Sequence, residues 1–194
     1  ESNAEAVAAY HKPAARAAKG GRRPWREANV VISDRRLAEA DQLFTRALTL
    51  NPGREVYLRR FLFLGLYVYD VPAARAFLET VPVALRQEDG MISQVAEFYL
   101  RTGDGDRALA ELRRLPRDFF EDGWDWRPKG YLAGYAHQIA GRPAAAQSEW
   151  KQALAVVEKR LVAEPRNESL LYWQCVLQAL TGQVAAAREG RKVL

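Results

Sequence analysis

The segments Leu37-Ala38-Glu39-Ala40-Asp41-Gln42-Leu43-Phe44-Thr45-Arg46-Ala47-Leu48 and Asp106-Arg107-Ala108-Leu109-Ala110-Glu111-Leu112-Arg113-Arg114-Leu115 decide the fold. Each sets a small residue four positions ahead of a large apolar one, with an apolar or small residue three positions further on. The members are Ala40, Phe44 and Ala47 in the first, and Ala108, Leu112 and Leu115 in the second. A helix completes a turn every ~3.6 residues, so this spacing lays all three on one face. Ala74, Leu78 and Val81 do the same between them, and Ala40, Ala74 and Ala108 are separated by 34 and 34 residues. Two equal intervals of that length mark a repeated supersecondary unit that buries its seam against adjoining copies.

The pattern extends in both directions. Ala146, Trp150 and Ala153 form the next copy after an interval of 38, and Ala187 opens a fifth after 41. Gly103, Gly141 and Gly182 each stand five residues ahead of such an alanine, where a helix closes through a left-handed residue and the chain reverses. A first helix precedes each turn. Its buried stripe is Leu58, Phe61, Leu62 and Gly65 in one copy, Ile92, Val95, Ala96 and Tyr99 in the next, then Ala133, Gly134 and His137. Small residues at Ala28, Ala96, Gly134 and Cys175 mark where paired helices cross most closely, and Pro52, Pro116 and Pro165 end helices. The longer intervals predict an insert over 116–128 and a lengthened second helix from Pro143 to Ala163. Ahead of the repeats, 1–19 reads as a separate alanine-rich helix bent at Pro13 and set off by Gly20-Gly21. Ser2-Asn3-Ala4 reads as a tag scar, and the chain as a piece of a longer protein.

On these residues the chain resembles a tetratricopeptide-repeat protein over 20–194, with repeats near 21–54, 55–88, 89–122, 127–160 and 168–194. Asn51-Pro52 after Ala47-Leu48 is close to that family's repeat ending, whereas Leu58, Ile92 and Leu171 replace the usual large aromatic of the first helix. The resemblance implies an all-α, right-handed superhelix of about five hairpins, with a partner peptide lying in the concave groove of the first helices. The family's groove-facing spacing then falls on Trp25, Asn29, Arg59, Phe63, Ser93, Glu97, Tyr131, Tyr135 and Tyr172. The two-carboxylate clamp of chaperone-binding relatives needs Lys and Asn first and basic residues later. Trp25, Ser93 and Glu97 stand at those places, so the resemblance does not extend to a chaperone C-terminus. An aromatic groove with one basic group suits an apolar segment with acidic flanks.

Composition supports a folded helical chain. Of 194 residues, 48% are hydrophobic and 27% charged, and β-branched residues are sparse. The longest apolar run, Phe61 to Tyr69, has nine residues, too few to span a bilayer. The first residues lack the cationic start and apolar stretch of a secretion signal, and localisation stays open. The net charge of +5 is concentrated between His11 and Arg36, where eight bases face two acids; the remainder is near neutral. A basic segment of this kind reads first as a solvated face, because only Tyr10 and Trp25 interleave as stacking rings.

Material for catalysis is scarce. His11 and His137 are the only histidines, the first in the basic segment and the second on a buried stripe; Cys175 is the only cysteine and falls in an apolar helical pattern. No zinc spacing, phosphate loop or nucleophile elbow occurs, and neither cofactor nor metal is expected. Gly103-Asp104-Gly105-Asp106 lacks the distant Glu of a calcium loop and reads as a turn with Asp104 or Asp106 as N-cap. Phe119, Phe120, Trp124 and Trp126 in the insert read as a plug between the third and fourth repeats, with an aromatic pocket rim as the alternative. The expected function is therefore a non-enzymatic interaction module or scaffold, holding a partner peptide or another domain of the parent chain. The alternatives are a nucleic-acid-associated repeat using the basic segment, and an accessory module regulating a catalytic domain elsewhere in the parent.

Overall fold

Every member of the four complete triplets is buried, none more than 5% exposed, from Ala40, Phe44 and Ala47 through to Ala146, Trp150 and Ala153. The structure, a computed structural model, describes residues 28, 31–32, 35–122 and 125–191. The expected helix over 1–19, the scar, the basic run through Arg26, and Trp25, Asn29 and Trp124 lie outside the described residues. Among the described residues the chain is helical apart from one two-stranded hairpin, and its contacts form two compact units, Glu1–Val81 and Pro82–Leu194. The boundary falls inside the repeat expected at 55–88. Each unit is described by itself.

In the first unit, α1 (Leu37–Leu50) is followed after Asn51-Pro52 by α2 (Arg54–Leu62), a π-helical turn (Phe63–Tyr67) and α3 (Val71–Glu79). Its core gathers Ala28, Val31, Ala40, Phe44 and Phe63, with the Phe44 and Phe63 rings 5.3 Å apart. Asp41 of α1 accepts from Arg60 of α2 at 2.9 Å, and the Arg60 guanidinium lies 5.3 Å from the centre of the Phe77 ring of α3. The π turn, where Val68 N–H donates to the Phe63 carbonyl at 3.0 Å, keeps Gly65 buried and leaves Tyr67, Val68 and Tyr69 exposed. Asp70 then caps α3, its carboxylate accepting from Ala73 N–H at 2.9 Å, with proline in the first turn.

The second unit runs α4 (Val83–Arg86), α5 (Asp89–Arg101), α6 (Gly105–Leu112), β1 (Phe119–Asp122), β2 (Asp125–Pro128), α7 (Lys129–Ile139), α8 (Pro143–Ala163), α9 (Glu168–Leu180) and α10 (Val184–Gly190). From α5 onward each helix packs on the next in sequence, giving the hairpins α5–α6, α7–α8 and α9–α10. α5 buries the predicted stripe Ile92, Val95, Ala96 and Tyr99, worth about 1.5–3 kcal/mol for each large side chain. Where α7 crosses α8, a Cβ added at Gly134 would stand 2.0 Å from Trp150 Nε1, so only glycine admits the indole there.

The turns share one geometry. Gly103, Gly141 and Gly182 have φ of 76°, 73° and 86°. After each, the next residue's N–H reaches back to the carbonyl five residues earlier: Asp104 to Tyr99, Arg142 to His137, and Gln183 to Gln178, at 2.8–2.9 Å. The same left-handed backbone recurs at Arg35 (φ 58°) and Tyr69 (φ 60°), also five residues ahead of Ala40 and Ala74. Among the described residues a left-handed position thus keeps the register five times, twice without glycine.

The chain is all-helical as expected, with two local features the repeat spacing did not give. The insert is a β-hairpin pairing Phe119 with Pro128 and Glu121 with Trp126, and α4 is an additional short helix. α8 does run from Pro143 to Ala163, and the hairpin gives the reason. Phe119 joins Leu154, Val157, Leu170 and Leu177 in one core, Arg160 stands 4.1 Å from the centre of the Phe119 ring, and it pairs with Glu121 at 2.7 Å. The added turns of α8 cover the inserted strands.

Candidate functional site

Polar residues on α5 recur every four positions at Asp89, Ser93 and Glu97, placing them on one side of the helix. All three hold the β-hairpin. The Asp89 carboxylate, 7% exposed, accepts from the Arg117 guanidinium and from Glu121 N–H at 2.9 Å. One turn on, Ser93 Oγ accepts from Arg127 Nη2 at 2.8 Å; a further turn on, Glu97 accepts from Arg127 Nη1. Arg127 lies in β2 with its side chain 12% exposed, also 5.9 Å from the centre of the Phe120 ring. A buried guanidinium with two anchors fixes the strands rigidly, because removing either partner would leave a desolvated polar group.

This corrects part of the expected groove. Ser93 is wholly buried and bound to Arg127, and Phe63 is 1% exposed against Phe44, so neither offers surface to a ligand. The groove spacing treats each first helix as bare, but Phe63 is drawn into the core at the π turn and the insert folds back over α5. Glu97 keeps partial exposure while paired with Arg127 and, at 3.9 Å, Arg101. Arg59, in the first unit, is half-buried and paired with Glu55 on its own helix at 2.7 Å.

The three tyrosines come together. Tyr131 and Tyr135 stand one turn apart on α7 with ring centres 5.1 Å apart, edge to face. Tyr131 also meets Trp173 of α9 at 4.9 Å, and Tyr172 meets Trp173 at 5.2 Å. Tyr135 leans on Trp150 of α8 at 5.3 Å. The indoles are held by hydrogen bonds: Trp150 Nε1 donates to the Tyr131 carbonyl at 3.2 Å, and Trp173 Nε1 to the Trp126 carbonyl at 3.0 Å. The result is a preset aromatic surface whose outer member, Tyr172, is 51% exposed. Burial pushes the Tyr131 phenol above the ordinary tyrosine value, and the neighbouring Tyr135 adds to the shift. The Tyr131 hydroxyl is therefore a neutral donor and acceptor near pH 7.

Sequence reasoning did not single out Trp173, Asp89 or Arg127. The signal for the latter two was present as carboxylates on an otherwise buried stripe, opposite an arginine-bearing insert. His137 is 20% exposed and bridges its hairpin, accepting from Arg142 Nε at 3.1 Å and approaching Glu149 at 4.0 Å. Asp104 caps α6 by accepting from Arg107 N–H at 3.2 Å. Among the described residues no helix is long and apolar enough to cross a membrane.

No protein-family model matches the chain, and no curated protein sequence matches it.

Proposed function

We propose that this chain is a protein-interaction module of the tetratricopeptide type, a right-handed superhelix of about five hairpins without chemistry of its own. It holds a segment of a partner protein, or of another part of its parent chain, against the aromatic face of α7 and α9. The register of left-handed turns at 35, 69, 103, 141 and 182 supports the repeat reading. The observation that carries the binding reading is the set of rings at Tyr131, Tyr135, Tyr172 and Trp173, locked from behind by indole hydrogen bonds. Rigid amphipathic rings give contact area at low entropic cost, which is the character of an interface hot spot.

Panning a displayed peptide library with the full 194-residue chain tests this. Recovered peptides are expected to be apolar with acidic flanks. Their binding should fall at least tenfold in Tyr135→Ala, measured below its melting temperature with unchanged helical circular dichroism. Retention of binding would overturn the aromatic site. Tight binding of an oligonucleotide, steeply weakened by salt and lost on neutralising Arg22, Arg23 and Arg26, would instead favour the basic segment as the functional element.

A further inference from the structure

The second helices of the preceding hairpins bury their inner faces: α6 hides Ala108, Leu109 and Leu112, and α8 hides Ala146, Trp150 and Ala153. On α10 no side chain is buried, and Ala187, at the register position of Ala108 and Ala146, stays partly open. Between α9 and α10 runs a groove of about 580 Å³, lined by Tyr172, Val176 and Ala179 on one side and Val184, Arg188 and Arg191 on the other. That volume is in the range of ligand-binding clefts. A Cβ added at Gly190 would stand 2.6 Å from Cys175 Sγ, so the last turn of α10 rests directly on α9 at the end of this groove.

We infer that this groove docks an apolar partner segment flanked by carboxylates. Among the described residues, Arg188 and Arg191 are the only charged members of the lining, three positions apart at its rim. Charge selects among the possible occupants. A second copy meeting the same patch about a two-fold axis would bring four guanidinium groups together. The N-terminal stretch of this chain, with Lys12, Arg16, Lys19, Arg22, Arg23 and Arg26, has the same sign. An apolar segment with Asp or Glu at its flanks fills the wall left by Val176, Ala179 and Val184 and meets both arginines. The inference rests on the reading of the chain as a segment-binding protein, and adds a second place and a partner chemistry.

The test uses the full chain and two labelled amphipathic peptides, one with leucines on one helical face and glutamates at both ends, the other with lysines replacing the glutamates. The acidic peptide is expected to bind about tenfold more tightly than the basic one, and Arg188→Glu with Arg191→Glu to reverse that order. Both arginines are exposed, so the variant should keep its circular dichroism spectrum. Equal binding of the two peptides, an unchanged preference in the charge-reversed variant, or self-association that the reversal abolishes would each overturn the groove. Loss of the acidic peptide in Tyr135→Ala with full binding in the charge-reversed variant would leave the aromatic face standing and the groove refuted. The converse pattern would retain the groove and refute the aromatic face.

Discussion

Tyr69 occupies a position where three of its register equivalents are glycine. Its φ of 60° places a bulky side chain in the left-handed region, while 80% of its surface faces solvent, so little packing offsets the backbone cost. Tyr69→Gly is therefore expected to stabilise the chain by about 0.5–1 kcal/mol, read as a raised urea midpoint at unchanged m-value. At Tyr131 the raised pKa has a definite sign. The folded state holds the phenolic proton to higher pH than the unfolded chain, whose value is near 10.0, so the contribution is complete below that pH and is lost as pH rises through the folded value. Thermal melts should show a decline above pH 10.0 that Tyr131→Phe reduces, and the tyrosinate absorbance of the variant should lose a component that titrates above that value.

Between elements, the β-hairpin is coupled to α5 through Asp89, Ser93 and Glu97. Arg127→Leu keeps bulk but removes the donor to Ser93 and the cation facing Glu97, leaving a buried hydroxyl and a partly buried carboxylate. The expected cost is about 2–3 kcal/mol. Amide hydrogen exchange should accelerate at 119–128 before it does in α7 or α8. Uniform acceleration across the unit would mean that the hairpin is not a separately latched element. The two irregular repeat intervals belong to this same device, because the strands inserted after α6 and the turns added to α8 pack on each other through Phe119 and Arg160.

For the molecule as a whole, the core that contains Phe119, Trp150, Val157, Leu170 and Leu177 lies entirely within Pro82–Leu194. Neighbour-to-neighbour burial makes such a stretch self-sufficient. A fragment of residues 82–194 is expected to remain helical and to melt cooperatively; a non-cooperative melt would show that its hairpins need the preceding unit.

The sequence by itself determined most of the helices, the cap at Asp104 and the register of the buried triplets. Those follow from local propensity and from which residues share a face, and the triplets beginning at Ala40, Ala74, Ala108 and Ala146 are buried where the spacing put them. Even the left-handed turns at Gly103, Gly141 and Gly182 were legible, because glycine announces that backbone. Those at Arg35 and Tyr69 were not, since the surrounding structure imposes the conformation on residues that do not favour it. Only the tertiary structure decided which polar positions face outward. Ser93 and Glu97 carry the spacing of a binding groove, yet they anchor Arg127, 34 and 30 residues further along the chain. A hydrogen bond of that span is set by how an insert folds back, which no local period encodes.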